Sequence, residues 1–132
     1  MQKKKILLID DEEDFCFFVK QNLEATGEFS VTYSTDPQKA LSLAKKEPPD
    51  LMLMDIMMPK KDGFGVLTEI KEDKATMGVP VVMISALGVD EVFLKASQLY
   101  SEAFIIKPVS HERLIKQINE VLSRPPFANR GK

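Results

Sequence analysis

Five residues stand out for the chemistry their types could support: Asp10, Asp11, Asp55, Ser85 and Lys107. Asp55 closes the apolar part of Asp50-Leu51-Met52-Leu53-Met54-Asp55-Ile56-Met57-Met58-Pro59, where a greasy run delivers a single carboxylate at its tip. An ionised aspartate in that position is costly unless it meets water, a cation or a partner group. Asp10, Asp11 and Asp55, if brought together, would repel one another and raise each other's pKa unless a cation sat among them. Oxygen-only ligands with room for water suit Mg²⁺, for which Mn²⁺ is the natural substitute. Lys107 offers a point charge and Ser85 a hydroxyl donor, both suited to a tetrahedral anion. A carboxylate facing metal, lysine and hydroxyl is equipped to accept a phosphoryl group.

The elements that must position these groups can be read along the chain. Lys5 to Ile9 is a short apolar run that predicts a strand, and a helical pattern with Phe15, Phe18, Val19 and Leu23 on one face follows the acidic stretch 10–14. Phe29 to Ser34 predicts a second strand; Asp36-Pro37 then supplies an N-cap and an N1 proline to a helix ending before Pro48-Pro49. Leu51 to Met54 predicts the third strand and Gly63 to Lys74 the third helix. Val79 to Ile84 and Ala103 to Ile106 predict the last two strands, each followed by a helix, over 88–100 and after the capping Ser110. Strands alternating with helices imply a parallel α/β sheet covered on both faces, with ligands outside the carboxyl ends of the strands. Asp10, Asp55, Ser85 and Lys107 all fall at such ends.

Composition narrows the function classes. The 132 residues, 44% hydrophobic and 29% charged, fit one globular domain over 1–122 with a Pro- and Arg-containing tail or linker stub over 123–132. A net charge of −2 argues against direct nucleic-acid binding by this domain, since phosphate neutralisation needs a positive field. The single cysteine, Cys16, permits no internal disulfide and predicts a small buried or half-buried hydrophobe, not a nucleophile, in a reduced, cytoplasmic protein. The run after the basic head MQKKK is too short for a signal peptide or a membrane span. Met52 and Met54 are predicted core residues rather than soft-metal ligands.

Asp10-Asp11-Glu12, Asp55 with Met58-Pro59 and Asp62-Gly63, Ser85-Ala86 and Lys107-Pro108, in this order at successive strand ends, resemble the receiver domain of two-component response regulators from about residue 3 to 122. The resemblance implies a single-domain flavodoxin-like three-layer sandwich with strand order 2-1-3-4-5 and five helices on two faces. It implies that Asp55 accepts a phosphoryl group from a sensor histidine kinase or a histidine phosphotransfer protein. Asp11, Asp55 and the Met57 carbonyl would ligate Mg²⁺, with Asp10 acting largely through water. Ser85 and Lys107 would hold the phosphoryl oxygens, and Ser85 with Phe104 would form the switch. The output face would be built from the fourth helix, fifth strand and fifth helix, toward a partner or output module or a second copy. Lys107-Pro108 is often cis in that family.

This chain also departs from the pattern. Phe104 lacks the hydroxyl of the frequent tyrosine, and Tyr100-Ser101 replaces a common Gly-Ala. Met57 and Leu87 are apolar where some relatives carry groups that assist a hydrolytic water, which predicts slow self-dephosphorylation. Two other readings are weighed against the switch. A turnover enzyme using the same aspartate would need a cap or nucleotide loop that the sequence lacks. A phosphorylation-independent scaffold would have no use for the retained acidic, hydroxyl and lysine positions. His111-Glu112 reads as a solvated first helical turn, and Phe17 and Leu94 as exposed contact candidates.

Overall fold

The computed structural model describes residues 2–86 and 101–124. Five parallel strands, β1 (Lys4–Ile9), β2 (Phe29–Ser34), β3 (Leu51–Asp55), β4 (Val81–Ser85) and β5 (Ala103–Ile106), form one sheet in the order β2-β1-β3-β4-β5. Among the described residues there are four α-helices: α1 (Glu13–Ala25), α2 (Ala40–Lys46), α3 (Gly63–Glu72) and α4 (His111–Leu122). The helix predicted over 88–100, with Leu87, Leu94 and Tyr100, lies outside the described residues, as does the tail from residue 125.

Strand alternation divides the core. Ile6, Leu8, Leu51, Leu53, Val82, Ile84 and Ile105 face α1 and α4, while Leu7, Ile9, Met52, Met54, Val81 and Met83 face α2 and α3. Because both faces of a parallel sheet are covered, the strands read as continuous apolar runs; the central pair β1 and β3 is apolar at both parities. Full burial of a Leu or Ile side chain contributes about 1.5–3 kcal/mol, so these layers dominate the stability. The edge strand β2 is tied to α1 by side chains: Lys20 Nζ donates to the Val31 carbonyl at 2.6 Å, and the Val31 N–H donates to Glu24 Oε2 at 3.0 Å. Those bonds occupy groups an edge strand otherwise leaves open.

The caps fall where the sequence placed them. Asp36 accepts from the Gln38 N–H at 3.0 Å and Ser110 from the Arg113 N–H at 3.2 Å. Several boundaries differ from expectation. The segment after Asp36 opens as a 3₁₀ turn, Pro37–Lys39, before α2 begins. Helix α3 stops at Glu72 rather than Lys74, because Asp73 turns extended and its carboxylate accepts the Ala75 N–H at 2.8 Å. Strand β4 starts at Val81 rather than Val79, after Pro80, which has no N–H to give a ladder. On α1 the inward stripe is Cys16, Val19 and Leu23. Phe18, placed inward by periodicity, is 39% exposed, while Cys16 is fully buried.

Candidate functional site

Strand β3 runs one residue further than expected, so Asp55 is its last member and is only 4% exposed. The Ile56 N–H continues the ladder onto the Ile84 carbonyl at 2.9 Å. The chain then loops through Lys60, held at φ 71°, and returns so that the Gly63 N–H donates to the Ile56 carbonyl at 2.7 Å. A Cβ at Gly63 would lie 2.0 Å from the Asp55 carbonyl oxygen, so only glycine lets α3 begin this close to the strand end. Asp62 caps that helix by accepting the Gly65 N–H at 2.8 Å.

Asp10 follows β1 and is completely buried. Its Oδ1 accepts the Glu12 N–H at 2.9 Å, which shapes the turn into α1, and its Oδ2 meets Lys107 Nζ at 2.9 Å. Lys107 leaves β5 beside β4, its N–H donating to the Ser85 carbonyl at 2.8 Å, and precedes a cis peptide bond to Pro108. Its ammonium lies 2.6 Å from Glu12 Oε1, 4.0 Å from Asp55 Oδ2, and 4.3 Å from the centre of the Phe15 ring. Carboxylate oxygens of Asp10, Asp11 and Asp55 all lie within 4.8 Å of one another.

The electrostatics follow from this crowding. Burial, together with the neighbouring Asp10 charge and Asp11, pushes the Asp55 carboxyl up to about 7, against the pull of Lys107. Asp10 is also raised, chiefly by burial, with Lys107 opposing. Burial lowers Lys107, but its bonds to Asp10 and Glu12 outweigh that and leave it raised. Cys16, whose Sγ donates to the Asp10 carbonyl at 3.3 Å, is pushed up to about 12 by burial and the nearby acids, so its thiol is a structural group.

One lysine against three converging carboxylates leaves an excess of negative charge that a divalent cation would relieve. The donor set is oxygen-only; Asp11 is exposed and open to water, and Asp10 Oδ2, buried 2.9 Å from the Lys107 ammonium, accepts no hydrogen bond. These residues therefore fit Mg²⁺.

The fold thus unites Asp10, Asp11, Asp55 and Lys107. Ser85 lies at the same edge, 2% exposed, but its hydroxyl donates to the Ala86 carbonyl at 3.0 Å. Phe104 is half-buried against the core layer under α3, and Met57 is 56% exposed beside Asp55. Sequence reading did not find the roles of Glu12 and Phe15 as partners of Lys107. An acidic residue right after the aspartate pair was the available signal, but a pairing across 95 positions has no local signature.

Comparison with known proteins agrees with this architecture. The family model described as the response regulator receiver domain matches residues 6–119. A probable transcriptional regulator, ycf27, of Guillardia theta is 38% identical over 122 residues, covering 92% of this chain and 46% of the relative. The alkaline phosphatase synthesis transcriptional regulatory protein PhoP of Bacillus subtilis is 34% identical over 127 residues, 95% of this chain and 51% of that one. The chain thus spans about half the length of the curated relatives it matches. In fold, the chemotaxis protein CheY4 of Vibrio cholerae superposes with a TM-score of 0.83 at 22% identity, over 91% of this chain and 99% of that one. No helix among the described residues is long and apolar enough to cross a membrane. A flavodoxin-like sheet carrying an acidic cluster and a lysine at its carboxyl edge, matched over residues 6–119, places this chain in the response regulator receiver domain family, whose members are phosphorylation-controlled signalling switches.

Proposed function

We propose that Asp55 is the phosphoacceptor of this switch and that Asp10, Asp11, Lys107 and Ser85 serve its phosphorylation. The observation that carries the reading is the convergence of Asp55 with two further aspartates and Lys107 at the carboxyl end of the sheet. The donor is a phosphohistidine on a sensor histidine kinase or phosphotransfer protein. The Asp55 carboxylate attacks phosphorus, the P–N bond breaks, and the imidazole leaves with a proton from solvent. Asp55 must be ionised to attack, so Lys107 favours the reactive form while Asp10 opposes it. Asp11, Asp55 and the Met57 carbonyl would hold Mg²⁺, with Asp10 reaching it through water. When bound, the ion supplies positive charge that favours the Asp55 carboxylate and the transferred phosphoryl oxygens.

Ser85 completes the switch by exchanging its bond to the Ala86 carbonyl for a phosphoryl oxygen, and Phe104 responds on the neighbouring strand, where it pairs with Met83. The change is read on the face of β5, α4 and the helix predicted over 88–100, by an output partner or a second copy. Because the relatives named above are transcriptional regulators about twice as long, we assign gene control to a further module. The described domain ends near residue 122, with the following segment a linker. Met57 offers no polar atom in its side chain to orient an attacking water, so self-dephosphorylation is slow, with a lifetime of minutes or longer; a lifetime of seconds in the isolated protein overturns that point.

Intact mass after incubation with a small phosphodonor and Mg²⁺ tests the reading. One added phosphoryl group, dependent on Mg²⁺ and absent from Asp55→Asn, is expected. Normal labelling of Asp55→Asn removes the assignment, and rapid donor consumption without an adduct favours a turnover enzyme.

A further inference from the structure

Lys107 does not point freely at Asp55. Its ammonium lies 2.6 Å from Glu12 Oε1 and 2.9 Å from Asp10 Oδ2, against 4.0 Å from Asp55 Oδ2, and sits over the Phe15 ring at 4.3 Å from its centre. Glu12 reaches this position from the residue that precedes α1, its own N–H bonded back to Asp10. The Glu12 carboxylate accepts a hydrogen bond from this ammonium, while the buried Asp10 Oδ2 beside it accepts none, so Glu12 and a phosphoryl group on Asp55 would compete for the same donor group.

We propose that Glu12 is a positioning residue that restrains Lys107 in the unphosphorylated domain, so that phosphorylation must draw the ammonium away from Glu12. This rests on the reading of Asp55 as phosphoacceptor. The Glu12 side chain is 62% exposed, and an ion pair with one solvated partner is weak. Removing the Glu12 charge therefore speeds phosphoryl acceptance, or tightens a phosphoryl mimic, by about two- to five-fold rather than by orders of magnitude.

Glu12 and Glu13 are neighbours with the same charge but different partners: Glu13 Oε1 accepts the Tyr33 hydroxyl at 2.7 Å. Glu12→Gln and Glu13→Gln thus change net charge equally while only the first touches Lys107. The experiment measures the affinity of the intact chain for beryllofluoride in saturating Mg²⁺, for wild type, Glu12→Gln, Glu13→Gln, Lys107→Ala and the Glu12→Gln, Lys107→Ala double variant. Tightening of about two- to five-fold in Glu12→Gln is expected, little change in Glu13→Gln, and loss of the Glu12 effect once Lys107 is absent. Equal tightening in Glu12→Gln and Glu13→Gln, or a Glu12 effect that survives Lys107→Ala, overturns the proposal by reducing it to general charge. So does an unchanged affinity in Glu12→Gln with wild type binding normally, which leaves the phosphoacceptor reading standing. Failure of wild type to bind the mimic or accept a phosphoryl group removes both.

Discussion

Strand β3 begins and ends beside an aspartate, and the two differ in every respect except type. Asp50, just before the strand, is exposed; its Oδ2 accepts the Lys5 N–H at 2.7 Å while its own N–H donates to the Lys5 carbonyl at 2.8 Å. Asp55, at the other end, is buried among Asp10, Asp11 and Lys107, and its carboxyl is pushed up to about 7. At the amino end of the sheet the charges are solvated and satisfied by backbone donors, which helps to set the β1–β3 register. At the carboxyl end Asp10 and Asp55 are held together out of water beside the exposed Asp11, an arrangement that costs stability and that a cation would relieve. One end serves the fold and the other stores the means of function.

The comparison breaks most severely at Gly63. Gly63→Ala places a Cβ against the Asp55 carbonyl and the Ile56 Cα, so the start of α3 or the end of β3 must move. We expect a loss of about 3 kcal/mol, at the upper end for overpacking, and a weakened response to Mg²⁺. Thermal unfolding with and without the ion checks both.

Asp55→Asn has the opposite sign in the absence of metal. The folded Asp55 carboxyl keeps its proton up to about 7 while the unfolded one titrates in the ordinary carboxylate range, so the folded state binds the extra proton between them. Wild-type stability contributed by this group is full in acid and is lost as pH rises through 7. In EDTA at pH 8, Asp55→Asn is therefore expected to be more stable than wild type, with the advantage shrinking toward pH 4. Added Mg²⁺ should raise the wild-type Tm more than that of the variant. Denaturant titrations across pH measure the difference; a pH-independent gap would show that the carboxyl is not under this strain.

Smaller effects belong to the amino end. Asp50→Ala removes the acceptor of the Lys5 N–H at an exposed site where water can replace it, for a loss of about 1 kcal/mol. Glu47→Gln affects only the 3.6 Å pair with the Lys5 ammonium, both side chains more than half exposed, and should change stability by less than about 0.5 kcal/mol. A large pH-dependent effect from either would erase the contrast between the two ends.

Some of this protein was decided by sequence alone. Continuous apolar runs such as 6–9 and 51–54, bounded by polar residues, determine buried parallel strands because period and propensity are short-range properties. Asp36 and Ser110 announce helix starts for the same reason: a cap bonds an N–H within three residues of itself. The strand ends also marked Asp10, Asp55, Ser85 and Lys107 as one edge, because crossovers in such sheets bring successive carboxyl ends together. What the tertiary structure alone decided is which of them touch. The Glu12–Lys107 pair spans 95 positions, Phe18 is left 39% exposed, and Gly63 is held against Asp55 by a returning loop. Those outcomes depend on the packing of α1 and α3 onto the sheet. The raised pKa of Asp55 is likewise a property of burial and neighbours, which no local stretch of sequence contains.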